Sequence, residues 1–208
     1  MRKIFALVFL LGSTATIMAA QEIPKIELFG GYNYTNSNAA LTGRPVSFNG
    51  WSSSVAFNFN KWVGMVADGG GAYRSEEVPP FTVNFPCIIN PTICPPPFTI
   101  PGETRSQRLY TYSFGPRFSY RNDSRFTPFG HVLFGGGRVT DSHKIIGGGR
   151  FTEASGSHVL TLGGGVDYRL TNRLALRTQT DLQQSRFFSD LHDGFRLSTG
   201  LVFNFGKK

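Results

Sequence analysis

Phe195-Arg196-Leu197-Ser198-Thr199-Gly200-Leu201-Val202-Phe203-Asn204-Phe205 alternates one residue at a time. Phe195, Leu197, Thr199, Leu201, Phe203 and Phe205 fall on one side; Arg196, Ser198, Gly200, Val202 and Asn204 fall on the other. A period of two is the mark of a strand, because successive side chains point to opposite faces. The side that carries an arginine is not a core face. The apolar side therefore needs an apolar solvent of its own. A bilayer supplies one, and the stretch reads as the closing strand of a transmembrane β-barrel.

Seven earlier segments carry the same two-sided pattern. Ile26–Tyr34 sets Ile26, Leu28, Tyr32 and Tyr34 against Glu27, Phe29 and Asn33. Residues 51–60 set Trp51, Val55, Phe57 and Phe59 against Ser52, Ser54, Asn58 and Asn60. Residues 62–73 place Val63, Met65 and Tyr73 opposite Asp68. Residues 109–120 make an aromatic face of Tyr110, Tyr112, Phe114, Phe118 and Tyr120, with Arg117 on the reverse. In 126–137, Phe126, Val132 and Phe134 point outward and His131 inward, with Phe129 and Leu133 as exceptions to a polar inside. Residues 158–170 put Leu160, Leu162, Val166 and Tyr168 outward and Asp167 and Arg169 inward. Residues 173–182 put Leu174, Leu176 and Leu182 outward and Arg177, Gln179 and Asp181 inward.

The fold expected is all-β, an eight-stranded antiparallel up-and-down transmembrane barrel. Polar or turn-rich loops are expected at 35–49, 74–107, 139–155 and 185–193, and tight connections at 60–61, 121–125 and 171–172. Long and short connections thus alternate, as periplasmic turns and outer loops do in such barrels. This puts both termini on the periplasmic side. Closure is obligatory, since an open edge in lipid would strand unpaired N–H and C=O groups.

The first twenty residues read as a secretory signal peptide. Arg2 and Lys3 precede the short apolar run Ile4–Leu11, and Met18-Ala19-Ala20 supplies a cleavage site. That run is far below the ~20 residues of a spanning helix, and residues 21–208 form one barrel domain. The formal charge of +8 falls to +6 without the signal, which holds two basic residues and no acid. The basic residues are scattered, which speaks against a nucleic-acid footprint and for an anionic membrane surface. Cys87 and Cys94 would meet an oxidising compartment after export, where a disulfide is expected. No histidine lies near them to complete a zinc shell.

The inward set is Glu27, Asp68, Arg117, Asp167, Arg169, Arg177, Asp181 and Arg196. An eight-stranded barrel is just wide enough for side chains to fill it. Charges there must pair, and arginine suits the task because its planar fork binds a carboxylate bidentately. We expect Glu27, Asp68, Arg117, Asp167, Arg177, Asp181 and Arg196 to form a lumenal network. Asp181 and Glu27 are the candidate partners of Arg196. Arg169 is assigned either to the lumen or to the rim.

Taken together, F-G-G-Y-N-Y (29–34), W-V-G-M-V-A-D (62–68), F-G-P-R-F-S-Y (114–120), T-P-F-G-H-V-L-F-G-G-G (127–137), L-G-G-G-V-D-Y-R-L (162–170) and the closing strand resemble the OmpA-type eight-stranded outer-membrane barrels. The resemblance covers almost all of 21–205 and implies a barrel-only member without a peptidoglycan-binding domain. It implies residence in a Gram-negative outer membrane, in contact with lipid and lipopolysaccharide. It also implies insertion by the barrel-assembly machinery, which reads a terminal aromatic. Phe203 and Phe205 match that signal, although Gly206-Lys207-Lys208 follow.

The function expected is non-enzymatic: a structural or interaction role through outer loops, or a narrow pore, with no cofactor and no metal. Two alternatives stay open. One is a soluble exported barrel that binds a small ligand. The other is a lipid A-modifying enzyme, for which Asp141-Ser142-His143 and Ser157-His158 would be the candidates.

Overall fold

The computed structural model describes residues 24–37, 46–83, 98–187 and 190–207. Their strands are β1 (Pro24–Ser37), β2 (Val46–Asn58), β3 (Val63–Val78), β4 (Phe81–Val83), β5 (Phe98–Ile100), β6 (Glu103–Ser119), β7 (Phe126–Ile145), β8 (Arg150–Arg169), β9 (Leu174–Phe187) and β10 (Asp190–Lys207). No helix occurs among the described residues. The signal-peptide segment, Cys87 and Cys94 lie outside them.

Eight strands close in the order β1-β10-β9-β8-β7-β6-β3-β2, and all pairings are antiparallel. β4 and β5 form a separate two-stranded ribbon in the connection from β3 to β6. The first and last strands zip together from Pro24↔Lys207 to Ser37↔Gly194, which removes both sheet edges in that wall.

Burial alternates along each strand with the phase read from the sequence. On β10, Arg196, Ser198 and Val202 are buried, while Phe195, Leu197, Leu201, Phe203 and Phe205 are exposed. On β6, Tyr112 and Phe114 are 68% and 62% exposed, while Ser113 and Arg117 between and beyond them are buried. In a water-soluble barrel this arrangement is inside out. Around the wall the exposed apolar side chains form a band. On β10 it runs from Phe195 to Phe205, the length a tilted strand of about 9–11 residues needs to cross a bilayer core. Aromatics line its margins. At one margin Trp51 Nε1 donates to Tyr73 Oη (3.3 Å), and Tyr73 Oη to Tyr110 Oη (3.1 Å). At the other, Trp62 packs on Tyr120 and Phe126 on Tyr168. Amphipathic rings favour that depth.

The two ends differ. At the turn end, β2–β3, β6–β7 and β8–β9 are joined tightly. Asn60 Oδ1 accepts from the backbone N–H groups of Trp62 and Val63, and Thr171 Oγ1 does the same for Arg173 and Leu174. At the opposite end the expected loops are partly strand. β1 runs on to Ser37, and β2 starts at Val46. β3 and β6 pair as far as Val78↔Glu103. β7 and β8 pair from Phe126↔Tyr168 to Lys144↔Arg150, around a turn in which Gly147 takes φ 79°. The expected loop at 139–155 is therefore a hairpin tip. β9 and β10 likewise pair through Phe187↔Asp190. The physical reason is that two-faced alternation is required only where lipid wets the outer wall. Beyond the band both faces can be polar, so the strand signal loses its contrast.

Candidate functional site

The lumen holds most of the buried charge of the described chain, stacked in layers. Nearest the turn end, Glu27 on β1 is the centre. Its Oε2 accepts from Arg117 and from Arg177 Nη2 (2.9 Å); its Oε1 accepts from Arg121 Nη2 (2.5 Å) and Asn58 Nδ2 (2.8 Å). Arg177 also grips Asp167 with two bonds, Nε to Oδ1 at 2.6 Å and Nη2 to Oδ2 at 2.7 Å. The ring of Phe129 lies 4.6 Å from the Arg177 guanidinium and 5.1 Å from that of Arg117, and Phe29 lies 5.4 Å from Arg177. The inward phenylalanines are thus cation–π partners of the arginines. Nε and Nη1 of Arg117 find no acceptor among the described residues, and the Phe129 face is what the group has instead.

The second layer centres on Arg196 and Asp181, direct partners in the β10–β9 register. Arg196 Nε donates to Asp181 Oδ2 at 2.8 Å, and its Nη2 lies 2.8 Å from Asp68 Oδ1 and from Asp181 Oδ2. His131 Nε2 sits 2.8 Å from Asp181 Oδ1, and Gln179 Nε2 donates to Asp181 Oδ2 at 3.3 Å. Gly163 faces Asp181 across the β8–β9 ladder, and a Cβ there would collide with the carboxylate. Gly163→Val is therefore expected to destabilise the barrel by about 1–3 kcal/mol through overpacking, read as a lower midpoint in urea. A neutral outcome would show that Asp181 can move away from its partners freely.

A third layer is apolar: Val46, Phe48, Ala72, Leu109 and Val139. Ala72 lies beyond Asp68 on β3, and Val139 beyond His131 on β7, both toward the loop end. Above it, Asp141 accepts from Arg105 Nη2 (2.6 Å) and Gln107 Nε2 (2.8 Å), and His143 lies 3.3 Å from both Asp141 and Glu103. Asp141 pairs with Gln107, three rungs past the last aromatic of β6, so this layer stands beyond the lipid-facing band.

There burial alone would raise the Asp141 carboxyl, but the hydrogen bonds from Arg105 and Gln107 and the positive charge of Arg105 hold it below the usual carboxylate range. A lowered folded value means stability that is present above the unfolded value, about 3.9, and lost as pH falls through the folded one. We expect amide protection over 103–107 and 139–143 to drop between about pH 4 and more acid conditions, and Asp141→Asn to abolish that pH dependence. Protection unchanged by acid in the parent protein would refute the coupling.

All seven residues singled out for a lumenal network point inward and are paired. The partner of Arg196 differs from expectation in one respect: it holds Asp181 and Asp68, not Glu27. The register explains this. Arg196 lies opposite Thr35, whereas Glu27 lies opposite Asn204. Eight rungs at about 3.3 Å each separate them. Arg169 sits at the rim and donates to the Asp123 carbonyl at 3.4 Å. Asn58, on the polar face read from the sequence, and Arg121, which the pattern does not mark, join the Glu27 layer, whereas Arg105, Gln107 and Asp141, which fall in expected loops, form the layer beyond the apolar one. At the turn end a cavity of about 600 Å³ opens below the first layer, lined in part by Glu27, Arg121, Asp167, Arg169 and Arg173. Phe203 and Phe205 are exposed on the outer wall.

The two candidate Ser–His pairs are split by the strand itself. His143 faces the lumen, while Ser142 points outward and shares a 3.1 Å hydrogen bond with Thr152. His158 stacks outward on Phe134, 6.0 Å between centroids, and Ser157 Oγ donates to the His158 carbonyl. Neighbours in a strand cannot share a face, so in each pair the hydroxyl and the imidazole lie on opposite sides of the wall.

No family model and no curated protein matches the sequence. Among solved structures, Neisserial surface protein A aligns over 87% of this chain and 97% of its own, at 13% identity and a TM-score of 0.61. Ail, the attachment invasion locus protein of Yersinia pestis, in complex with the heparin analogue sucrose octasulfate, aligns over 86% and 97%, at 14% identity and a TM-score of 0.56. At such identities the likeness is one of fold. With a closed eight-stranded wall, an apolar exterior and a charged interior, the chain has the fold of the eight-stranded outer-membrane barrels.

Proposed function

We propose that the chain is a closed, non-conducting outer-membrane barrel of Gram-negative type. Its termini and tight turns face the periplasm. It works as a non-enzymatic interaction protein through the strands that project at the loop end. The observation that carries this reading is the pairing of an apolar outer band with a lumen crossed by buried, mutually paired side chains. Two ionic layers and an apolar layer lie in series, and each stands across an aqueous path. β3, β6, β7 and β8 meanwhile extend well past the band and present a broad wall for contact. The exposed Phe203 and Phe205 near the chain end support recognition by the barrel-assembly machinery.

Orientation is tested by a peptide tag in the Gly147–Gly149 turn and another after Lys208. In intact cells, antibody should label the first and not the second. The reverse pattern would invert the barrel. Extraction should require detergent, and unheated protein should migrate differently from heated protein on a gel. A protein that stays in solution without detergent would instead favour a soluble ligand-binding barrel. In planar bilayers the protein should give no stable conductance steps.

A further inference from the structure

The cavity of about 600 Å³ at the turn end has the Glu27 layer as its floor, and its lining sets Arg121, Arg169 and Arg173 against Glu27 and Asp167. With Arg117 and Arg177 behind the floor, five guanidinium groups meet two carboxylates among the described residues of this region, an excess of three positive charges. Both carboxylates are already engaged. Glu27 takes Arg117, Arg121 and Arg177, and Asp167 takes Arg177. Arg169 and Arg173 make no ion pair among the described residues. The backbone that carries them is pinned on both sides. Arg169 N–H donates to the Arg125 carbonyl, and the Arg173 carbonyl accepts from Asn204 N–H, each at 2.8 Å. Between them Thr171 Oγ1 fastens the turn. Arg169 lies two residues beyond Asp167 on the same strand face, opposite Ala175. The hydrogen-bonded wall therefore stands between its side chain and lipid.

We infer that this cup at the turn end binds a small soluble phosphomonoester, of the size of a sugar phosphate. Charge fixes the class of ligand. A phosphomonoester carries close to two negative charges at neutral pH and presents three oxygens, so one group can accept from two arginine forks at once. A carboxylate offers one charge and two oxygens. Pinned backbone under Arg169 and Arg173 lowers the cost of ordering the site. Volume fixes the size, since about 600 Å³ falls within the range of small-molecule sites, ~300–1,000 Å³. Thr127, Asn172 and Asn204 add neutral polar groups for the hydroxyls of the ester. A lipid headgroup is a poor occupant, because its acyl chains would have to lie on the polar side of the wall. The ligand is held and not passed on, as the ionic layers close the lumen above it. Its periplasmic origin rests on the orientation proposed above; the cup does not.

The test uses the full chain in phosphatidylcholine nanodiscs, where both mouths of the barrel meet solvent, titrated calorimetrically with glucose 6-phosphate. The parent protein should bind it saturably, one to one. The Arg169→Gln/Arg173→Gln variant should lose affinity by about tenfold for each arginine removed, as expected for hydrogen bonds to a charged group. Heat-modifiable migration shows that this variant is folded. Arg125→Gln, in the neighbouring turn but outside the cavity lining, should bind as the parent does. No saturable binding by the parent, equal affinity in the double variant, or an equal loss in Arg125→Gln would overturn the site. Equal affinity for gluconate would overturn the phosphate assignment, and equal affinity for inorganic phosphate would overturn the assignment of size. Binding abolished by doping the discs with phosphatidylglycerol would give the cup to a lipid headgroup and overturn the soluble ligand. The tags described above judge orientation separately: a barrel that binds glucose 6-phosphate but proves inverted keeps the cup and loses the periplasmic source.

Discussion

Glu27→Gln is expected to lower the unfolding free energy by about 3–5 kcal/mol, the range for a buried ionic set that loses one partner. The carboxylate is the shared acceptor of Arg117, Arg121 and Arg177, and Asn58 donates to it as well. Glu27 itself is 3% exposed and Arg177 1%. Removing its charge leaves three guanidinium groups close together with Asp167 as the one remaining anion of that layer. Like charges repel strongly where water cannot screen them. The amide of glutamine keeps the size of the side chain, so the cost reports charge and not a cavity. Urea unfolding in lipid vesicles, followed by the fluorescence of Trp51 and Trp62, measures it. Glu27→Asp keeps the charge on a shorter arm and should fall between the two. A loss under about 1 kcal/mol would place the layer in the class of solvent-screened surface pairs, and would remove it as a determinant of the closed lumen.

The Glu27 layer also shows what a sequence can disclose. Alternation alone separates Glu27, Asp167 and Arg177 from their lipid-facing neighbours, because the lipid imposes the pattern residue by residue. Arg196 with Asp181 is legible too, since β9 and β10 are consecutive and antiparallel. Contacts across the lumen are not legible. Asp68 reaches Arg196 from another side of the wall, and Glu27 meets Arg177 across 150 positions of sequence. Such pairs depend on strand tilt and stagger, which a period of two does not encode. Arg121 was hidden differently: it lies in a turn, where the inside–outside pattern has ended, yet its side chain reaches back to Glu27.

The projecting wall is illegible in the sequence for a related reason. R-V-T-D-S-H-K-I (138–145) alternates strictly, with Val139, Asp141 and His143 inward and Arg138, Thr140, Ser142 and Lys144 outward. Both rows are mostly polar, so hydrophobic contrast is absent and the stretch looks like loop. Val139 was the available clue. It is buried in the apolar layer, and its register with Leu109 continues the ladder past the glycines at 135–137. Phe48 is hidden in the same way, inside a segment whose polar neighbours read as a loop.

Phe48→Ala is the second large effect expected: a loss of about 3–5 kcal/mol, as for buried aromatic truncations. Phe48 is 1% exposed and packs with Val46, Ala72, Leu109 and Val139. A lumen this narrow cannot collapse onto the missing ring, because the hydrogen-bonded wall fixes its diameter. The void is therefore kept, and water from the polar layer above can enter it. Conductance is a separate matter. Barriers in series must all be removed before ions pass, and the Arg196–Asp181 and Glu27 layers lie below the void. Phe48→Ala should accordingly unfold at lower urea yet stay silent in planar bilayers. Stable conductance steps in that variant would show that the apolar layer alone seals the barrel and that the ionic layers admit ions. A stability loss below about 1 kcal/mol would show instead that neighbouring side chains refill the space, and would remove Phe48 from the closing layer.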